Sequence, residues 1–554
     1  MRDCIKAIGI TAGSATEKEE ERIMTYGIFS ANEWLYPDTE PGKGKRQIEM
    51  MAGGNSAGCI QILVRCDEPV IWEWNAEGGQ RLCAPEVYRL LPVYVEKNSG
   101  ERGFTVEQGT VVDYACRQAP FWVYDAMEPV EEVLTAPNEE GMLGLYLRWP
   151  TKKLAPGAYR GRFRLHQQKK ESSAVEIPVS LWVAEAAVPE KETLRLTNWY
   201  SLTNMATYHG AALWSEEHWE RIADYGRLMR EGRQTDFAVS PALADYTRGG
   251  DGRYAFDFSR TERFIRLYLS LGFRYIEGET PIFREDWGAN TFVVEIGGQR
   301  YPALSEEAYT YLQGYFTGWY ALLKANGWLE KTIQHVGDEP HAGCAAEYRI
   351  LSGMVRKWMP GVPVIEAVEC PELDGAVDIW VPKDNSYMEQ RDAYERKRRL
   401  GDTLWYYTCC CPGGRYLNRL LDEELLRTRY LHWANRLYGM PGYLHWGLNH
   451  YECTDDPFTG RAGSIETLST TALPCGDSHL VYPLGKQVLR SVRFEMMRAG
   501  CEDYELLGLL AAVAPQKAEA IRKRCVRSFT DYETDTAAFE AAYVDLLQAL
   551  AAEA

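Results

Sequence analysis

The run Gly337-Asp338-Glu339-Pro340 sets two carboxylates side by side, directly after the apolar stretch Lys331–Val336 and before a helical pattern. Adjacent acids at the carboxyl end of a strand suit acid–base chemistry: one group gives a proton to a leaving atom while the other stays ionised. The same residues also have an architectural use. An Asp accepts backbone N–H bonds at a helix start, and Pro suits the first helical turn. Spacing alone leaves both readings open. Other acids near predicted strand ends, Glu277, Glu279, Glu366 and Glu369, read as ion-pair partners before they read as catalysts.

The elements that must position these groups fall into two patterns that meet near residue 190. Before it, short runs rich in β-branched and aromatic residues alternate with turn residues, as in Cys59–Arg65, Val70–Trp74, Glu86–Val95, Leu145–Trp149 and Val175–Val183. Many short strands without intervening helices predict a β-sandwich over residues 1–189. After it, strand and helix signals alternate. Strands are predicted at 194–200, 235–240, 273–278, 331–337, 363–369, 378–382, 403–408 and 442–448. Helices are predicted at 215–230, 260–271, 305–326, 345–359, 385–400 and 417–438, with Ser215 and Ser305 as N-caps followed by acidic first turns. That order predicts a (β/α)8 TIM-type barrel over 190–514. A helical tail packed on the barrel is predicted for 515–554.

Active sites on such a barrel lie at the carboxyl ends of the strands. Here those ends carry Asn198, Trp199, Tyr200, Glu277, Glu279, Asp338, Glu339, Glu366, Glu369, Lys383, Asp384, Tyr407, Trp446 and Asn449. An acidic, aromatic mouth suits a sugar better than a phosphate, because Trp and Tyr faces stack on the apolar C–H faces of a pyranose. The 17 Trp and 34 Tyr also serve as ordinary core. No GxGxxG or GxxxxGK[ST] run supports a nucleotide. A formal charge of −18, from 61 Lys+Arg against 79 Asp+Glu, argues against nucleic acid and anionic membranes as partners.

The 14 cysteines contain no CxxC pair and one odd run, Cys409-Cys410-Cys411, which reads as a packed loop of free thiols. His335/His341 and His445/His450 lack ligand spacing, so neither metal nor cofactor is predicted. Residues 1–20 show no apolar leader and no stretch approaches a membrane span, which predicts a cytoplasmic location. Oligomeric state is not legible.

The segment His335-Val-Gly-Asp-Glu-Pro340 resembles the catalytic signature of glycoside hydrolase family 123 and its broader relatives. The resemblance continues through Leu404–Thr408, Pro441–Asn449, Gly476-Asp-Ser478, Ser491–Gly500 and Glu502–Leu506, with Pro156–Gly161 upstream resembling the preceding sandwich. It implies a retaining β-N-acetylgalactosaminidase that uses the substrate's own 2-acetamido group. Carried onto this chain, it implies Glu339 as general acid and then base. It implies Asp338 as the ionised group that holds and polarises the acetamido nitrogen.

Position adds Trp199, Tyr200, Glu277, Tyr406, Tyr407, Tyr443, Trp446 and Asn449 as substrate-binding candidates, for a glycan or small oligosaccharide. Arg493, Glu495 and Arg498 read as structural ion pairs. Two alternatives stand beside this reading. One is a glycosidase for another sugar, pairing Glu339 with a distant carboxylate such as Glu277 or Glu366. The other is a noncatalytic carbohydrate-binding protein.

Overall fold

The computed structural model describes residues 24–553 except 80, 131–133, 136, 139–140, 452–455 and 459–472. The stretch 1–20, read above for a leader, lies outside the described residues. The chain is a mixed α/β protein with a β-rich N-terminal region and a helical C-terminus.

The N-terminal runs pair into two sheets that share one core. The larger follows the order Thr25–Ser30, Ala57–Arg65, Met142–Pro150, Glu86–Val95, Phe121–Pro129, Gln487–Ser491, Tyr482–Leu484. The smaller follows Ile48–Gly54, Lys170–Ala187, Gly157–Gln167, Val70–Glu77, Leu134–Thr135. Successive strand side chains point to opposite faces. Thus Ile60, Ile62 and Val64 meet Phe163, Leu165, Ile177 and Val179 of the smaller sheet. Leu63 points the other way, into a second core with Tyr146, Leu425, Val492 and Met496. The larger sheet is therefore covered on both faces, and its last two strands come from the C-terminal part of the chain.

All eight predicted parallel segments form. They lie in three short sheets: Arg195–Asn198, Gly442–His445 and Tyr406–Tyr407; Asp236–Val239, Tyr275–Gly278 and Thr332–Gln334; Ile365–Val368, Ile379–Pro382 and Thr403–Leu404. Isolated bonds rather than continuous ladders join them. The Thr235 N–H donates to the Leu196 carbonyl at 3.1 Å, and parallel bridges pair Gln334 with Val364 and Lys383 with Tyr407. Among the described residues no sheet closes into a continuous barrel, which departs from the expected closed ladder. Strands of two to four residues supply too few ladder bonds to carry the pairing past each join.

The helices follow their caps. Ser215 Oγ accepts from His218 N–H and Ser305 Oγ from Ala308 N–H, each with two Glu in the first turn. Three expectations differ. The helix predicted over 417–438 begins only at Leu426, because the side chains before it are committed to a loop. Asn418 Nδ2 donates to the carbonyls of Cys409 and Pro412, and Asp422 accepts from Ser99 N–H and Oγ–H. The helix predicted over 385–400 is split at Gln390 into Asp384–Glu389 and Arg391–Arg399.

The third difference is the helix Val492–Val513, which precedes the predicted tail and is buried on nearly every face, so it shows no amphipathic stripe. Its Arg493 guanidinium donates to Asp125 Oδ2 at 2.9 Å, pinning it to the larger sheet. Glu495 accepts from Arg490 and Arg498 at 2.8 Å each, and these are structural ion pairs. The final helix, Thr536–Glu553, packs on this helix and on the Lys170–Ala187 strand. It thus reaches the sandwich as well as the α/β region.

Candidate active site

The Asp-Glu-Pro run does not cap a helix. The next helix starts at Ala345, five residues after Pro340, with Cys344 at its N-cap and no side-chain cap bond. The run forms instead a loop leaving the Thr332–Gln334 strand. Gly337 is required there, because a Cβ would sit 2.7 Å from the Phe292 ring. Glu339 holds φ at +48°, a left-handed conformation that side chains other than Gly adopt reluctantly. Strain of this kind costs on the order of 1–3 kcal/mol and persists where the surroundings impose it, commonly at functional sites.

Beneath the loop lies a fully satisfied ionic core. His335 gives one ring nitrogen to Glu366 Oε1 and the other to Glu277 Oε1, both at 2.8 Å. Glu366 Oε2 accepts from Val336 N–H, Gly337 N–H and the Tyr348 hydroxyl, each at 2.9 Å. Glu277 also accepts from Thr197 Oγ–H at 2.5 Å and Trp199 Nε1–H at 2.8 Å. Burial opposes charge on His335, but Glu366 and the hydrogen bond to Glu277 outweigh it and push its pKa up to about 10. The imidazolium and its two carboxylates therefore clamp three strands and orient the Gly337–Glu339 loop through its backbone N–H groups.

Above it, Asp338 and Glu339 face a cavity of about 690 Å³, a size within the range of small-ligand sites. Asp338 Oδ1 is sealed from solvent and has no hydrogen-bond partner. Burial first, then Glu339 and Glu366, hold the Asp338 carboxyl well above its ordinary range. Burial also raises Glu339, against the opposing pull of Lys383 and the Tyr407 hydroxyl, which donates to Glu339 Oε1. Lys383 in turn pairs with Glu369 Oε1. The nearby charges of Glu339 and Glu366 disfavour ionisation of Asp338, whereas Tyr407 and Lys383 favour charge on Glu339.

Of the predicted substrate-binding residues, Trp199, Tyr407 and Trp446 line this cavity with Asp338 and Glu339. Trp199 is fixed by its bond to Glu277 and stands edge-on to His335. Trp446 Nε1–H donates to Asp477 Oδ1 at 3.1 Å. The other candidates do not line it. Tyr200 donates to the Ala238 carbonyl at 2.7 Å and packs on Phe264 and Tyr268. Tyr406 donates to the Leu431 carbonyl and packs on Tyr443 and Phe529. The Tyr443 hydroxyl bonds Thr408 Oγ at 2.6 Å. Glu277 is buried in the ionic core. Asn449 pins the loop at Ser201, accepting from its N–H at 2.8 Å and donating to its carbonyl at 3.1 Å.

The alternation of a strand explains this outcome. Tyr406 and Tyr407 are neighbours, so only one can face the cavity. Ile333, Ile365, Ala367, Ile379, Val381, Trp405, Tyr407, Cys409 and Leu444 form an inner cluster, and the intervening Tyr406 and Tyr443 join the outer core under the helices. Sequence reading named Lys383 and Glu369 at strand ends without assigning them to the site. It missed Arg284, Trp287, His341 and His450. It also missed Phe104, which reaches the cavity from the N-terminal region with its N–H bonded to the Cys410 carbonyl at 3.2 Å. Their only sequence signal is residue type, since they sit on loops with no periodic pattern.

Residues 199–510 match the family model described as glycoside hydrolase 123, catalytic domain. No curated protein matches the chain. Among solved structures, a family 123 glycoside hydrolase from Clostridium perfringens, described in connection with glycolipid glycan hydrolysis, is similar over 96% of this chain and 97% of its own. Its TM-score is 0.71 at 14% identity, which shows a shared fold. A β-galactosidase from Marinomonas ef1 covers 60% of this chain and 62% of its own, at TM-score 0.36 and 10% identity. A GH2 β-galacturonidase from Eisenbergiella tayi covers 81% and 69%, at 0.34 and 10%. Likeness at those last two scores carries no argument.

Proposed function

The chain belongs to glycoside hydrolase family 123, and from that premise we propose that it is a retaining, β-N-acetylgalactosaminidase-type enzyme assisted by the 2-acetamido group of its substrate. The observation that carries the reading is the pairing of Asp338 and Glu339 on the wall of one cavity, with an Asp338 carboxyl oxygen that has no hydrogen-bond partner. A buried carboxylate oxygen without a donor is costly, and an acetamido N–H is the donor that would satisfy it.

The pair then works in sequence. In the free site burial and the nearby acids favour the proton on Asp338, while Tyr407 and Lys383 favour charge on Glu339. When the acetamido N–H bonds Asp338, the ionised form of Asp338 is favoured and Glu339 takes the proton. Glu339 donates it to the glycosidic oxygen as that bond breaks, and the acetamido oxygen forms a bond to the anomeric carbon. Asp338 stabilises the positive charge spread over the resulting oxazolinium ring. Water then attacks the anomeric carbon as its bond to the acetamido oxygen breaks and the acetamide re-forms, Glu339 takes the water's proton, and configuration is retained after two inversions. Trp199, Tyr407 and Trp446 wall the sugar.

The two carboxylates considered as distant partners, Glu277 and Glu366, have both oxygens engaged by His335, Thr197, Trp199, Tyr348 and backbone N–H groups. A two-carboxylate mechanism would therefore need Glu369, which faces the cavity but is paired with Lys383. We read the eight parallel segments as an irregular (β/α)8 barrel. The inner cluster around Trp405 and Leu444, separate from the outer core, supports that reading.

The test is hydrolysis of 4-nitrophenyl β-N-acetylgalactosaminide, the N-acetylglucosaminide and the plain β-galactoside, with wild type and Asp338→Asn. Release from the first alone, lost in the variant and blocked by an N-acetyl-thiazoline, is expected. Equal rates on the plain galactoside would move the mechanism to Glu369.

A further inference from the structure

Three consecutive cysteines line the wall of the cavity, and the mechanism uses none of them. Side chains of adjacent residues in extended chain diverge, yet the sulfurs of Cys409, Cys410 and Cys411 all lie within 4.8 Å of one another. Cys409 Sγ and Cys411 Sγ are 3.7 Å apart. Zinc bound tetrahedrally at about 2.3 Å from each thiolate spaces its sulfurs by roughly 3.8 Å. The thiols thus stand near a metal-binding separation before any metal is added.

Other parts of the fold impose that convergence. Asn418 Nδ2 donates to the carbonyls of Cys409 at 2.8 Å and Pro412 at 3.1 Å. The Phe104 N–H donates to the Cys410 carbonyl. Gly103 presses on the loop so closely that a Cβ there would lie 2.4 Å from Cys411 Cβ. A Cβ at Gly413 would lie 2.0 Å from the Gly100 carbonyl oxygen. The loop is clamped between the N-terminal region and the 418 turn, so the ordering cost of gathering three ligands is met by folding.

We propose that Cys409, Cys410 and Cys411 form a three-thiolate site for a thiophilic cation, with Zn(II) as the reference ion, on the wall of the catalytic cavity. Zn(II) displaces three thiol protons and leaves a net charge of −1. Lys383 Nζ, 3.7 Å from Cys411 Sγ, is the cation placed to balance it. All three cysteines face the cavity, so the remaining coordination position is left to water, the pattern of an open rather than a closed zinc site. Lys383 also pairs with Glu369 on the wall it shares with Glu339, so metal here redistributes charge beside the general acid and slows hydrolysis. This last consequence rests on the function proposed above, whereas binding does not.

The test titrates the reduced, full-length chain anaerobically with Co(II) alone. A thiolate-to-cobalt charge-transfer band that saturates at one equivalent and is bleached by Zn(II) is expected. Cys83→Ser should keep the band, and the triple Cys409/Cys410/Cys411→Ser variant should lose it. On the wild type, Zn(II) should protect these three residues from iodoacetamide, read by mass spectrometry, which needs no variant to fold. Absence of the band, its persistence in the triple variant, or unprotected alkylation would each overturn the site. Neither readout uses turnover, so its failure is distinct from failure of the glycosidase reading. Unchanged hydrolysis at full zinc occupancy would overturn the inhibitory role.

Discussion

Two carboxylate pairs sit on either side of one loop, and they are built in opposite ways. Below it, Glu277 and Glu366 flank His335 with every oxygen engaged. Above it, Asp338 and Glu339 share a half-buried wall with one oxygen lacking any partner. Burial raises the pKa of any acid, but compensation decides the result. Glu277 is held below its ordinary range because His335, Thr197 and Trp199 outweigh burial, whereas Asp338 is held far above because nothing does. A satisfied buried carboxylate is a strut, and an unsatisfied one at a cavity is poised for a ligand that brings a donor.

The largest effect should come from the upper pair. Glu339→Gln is expected to lower turnover roughly 10²–10⁴-fold on substrates with poor leaving groups, with little change in urea unfolding. Undiminished steady-state rates on such substrates would remove Glu339 from the chemistry. The lower pair should give the reverse. Glu366→Ala leaves His335, the Tyr348 hydroxyl and two backbone N–H groups without their acceptor, and should cost about 3–5 kcal/mol of stability.

The same network should show in the pH dependence of unfolding. His335 is raised from an ordinary 6.5 to about 10, so its contribution is complete below 6.5 and lost as pH rises through 10. Denaturant midpoints measured across that window should fall with pH in the native protein and fall less steeply in Glu366→Ala. Equal slopes would mean that the imidazolium is not held by Glu366.

Two smaller effects sharpen the contrast. Tyr407→Phe removes a hydrogen bond that favours ionised Glu339, so the acid should keep its proton to higher pH. The alkaline limb of kcat/KM should move upward, with a loss of about 1 kcal/mol in transition-state stabilisation. An unmoved limb would separate Tyr407 from the acid. Asp338 has a raised pKa, so its folded state is favoured below the ordinary carboxyl range and penalised as pH rises. Asp338→Asn should therefore unfold at higher denaturant at neutral pH, by about 1 kcal/mol, while losing turnover. A less stable variant would show that the carboxylate is a structural partner.

Much of this contrast was legible in residue order. The eight parallel segments, the Ser215 and Ser305 caps and the Asp338–Glu339 pair are local signals, because periodicity, capping chemistry and adjacency are properties of a few neighbouring residues. The closed barrel was not legible in that way. Whether short strands pair continuously depends on inter-strand hydrogen bonds, and here isolated bonds replace the ladder at each join. The helix Val492–Val513 was missed as an element for a related reason: burial on nearly every face erases the amphipathic period that identifies a helix.

Sequence by itself determined which chemistry is available: two adjacent acids after a strand, aromatic residues at strand ends, and a run of three thiols. Tertiary structure alone decided which of them meet. Strand alternation turned Tyr407 inward and Tyr406 outward, and burial with or without a partner separated Glu277 from Asp338. A loop from the N-terminal region gathered Cys409, Cys410 and Cys411 against Lys383. Side-chain direction and desolvation depend on residues distant in the chain, so they come into being only when the chain is folded.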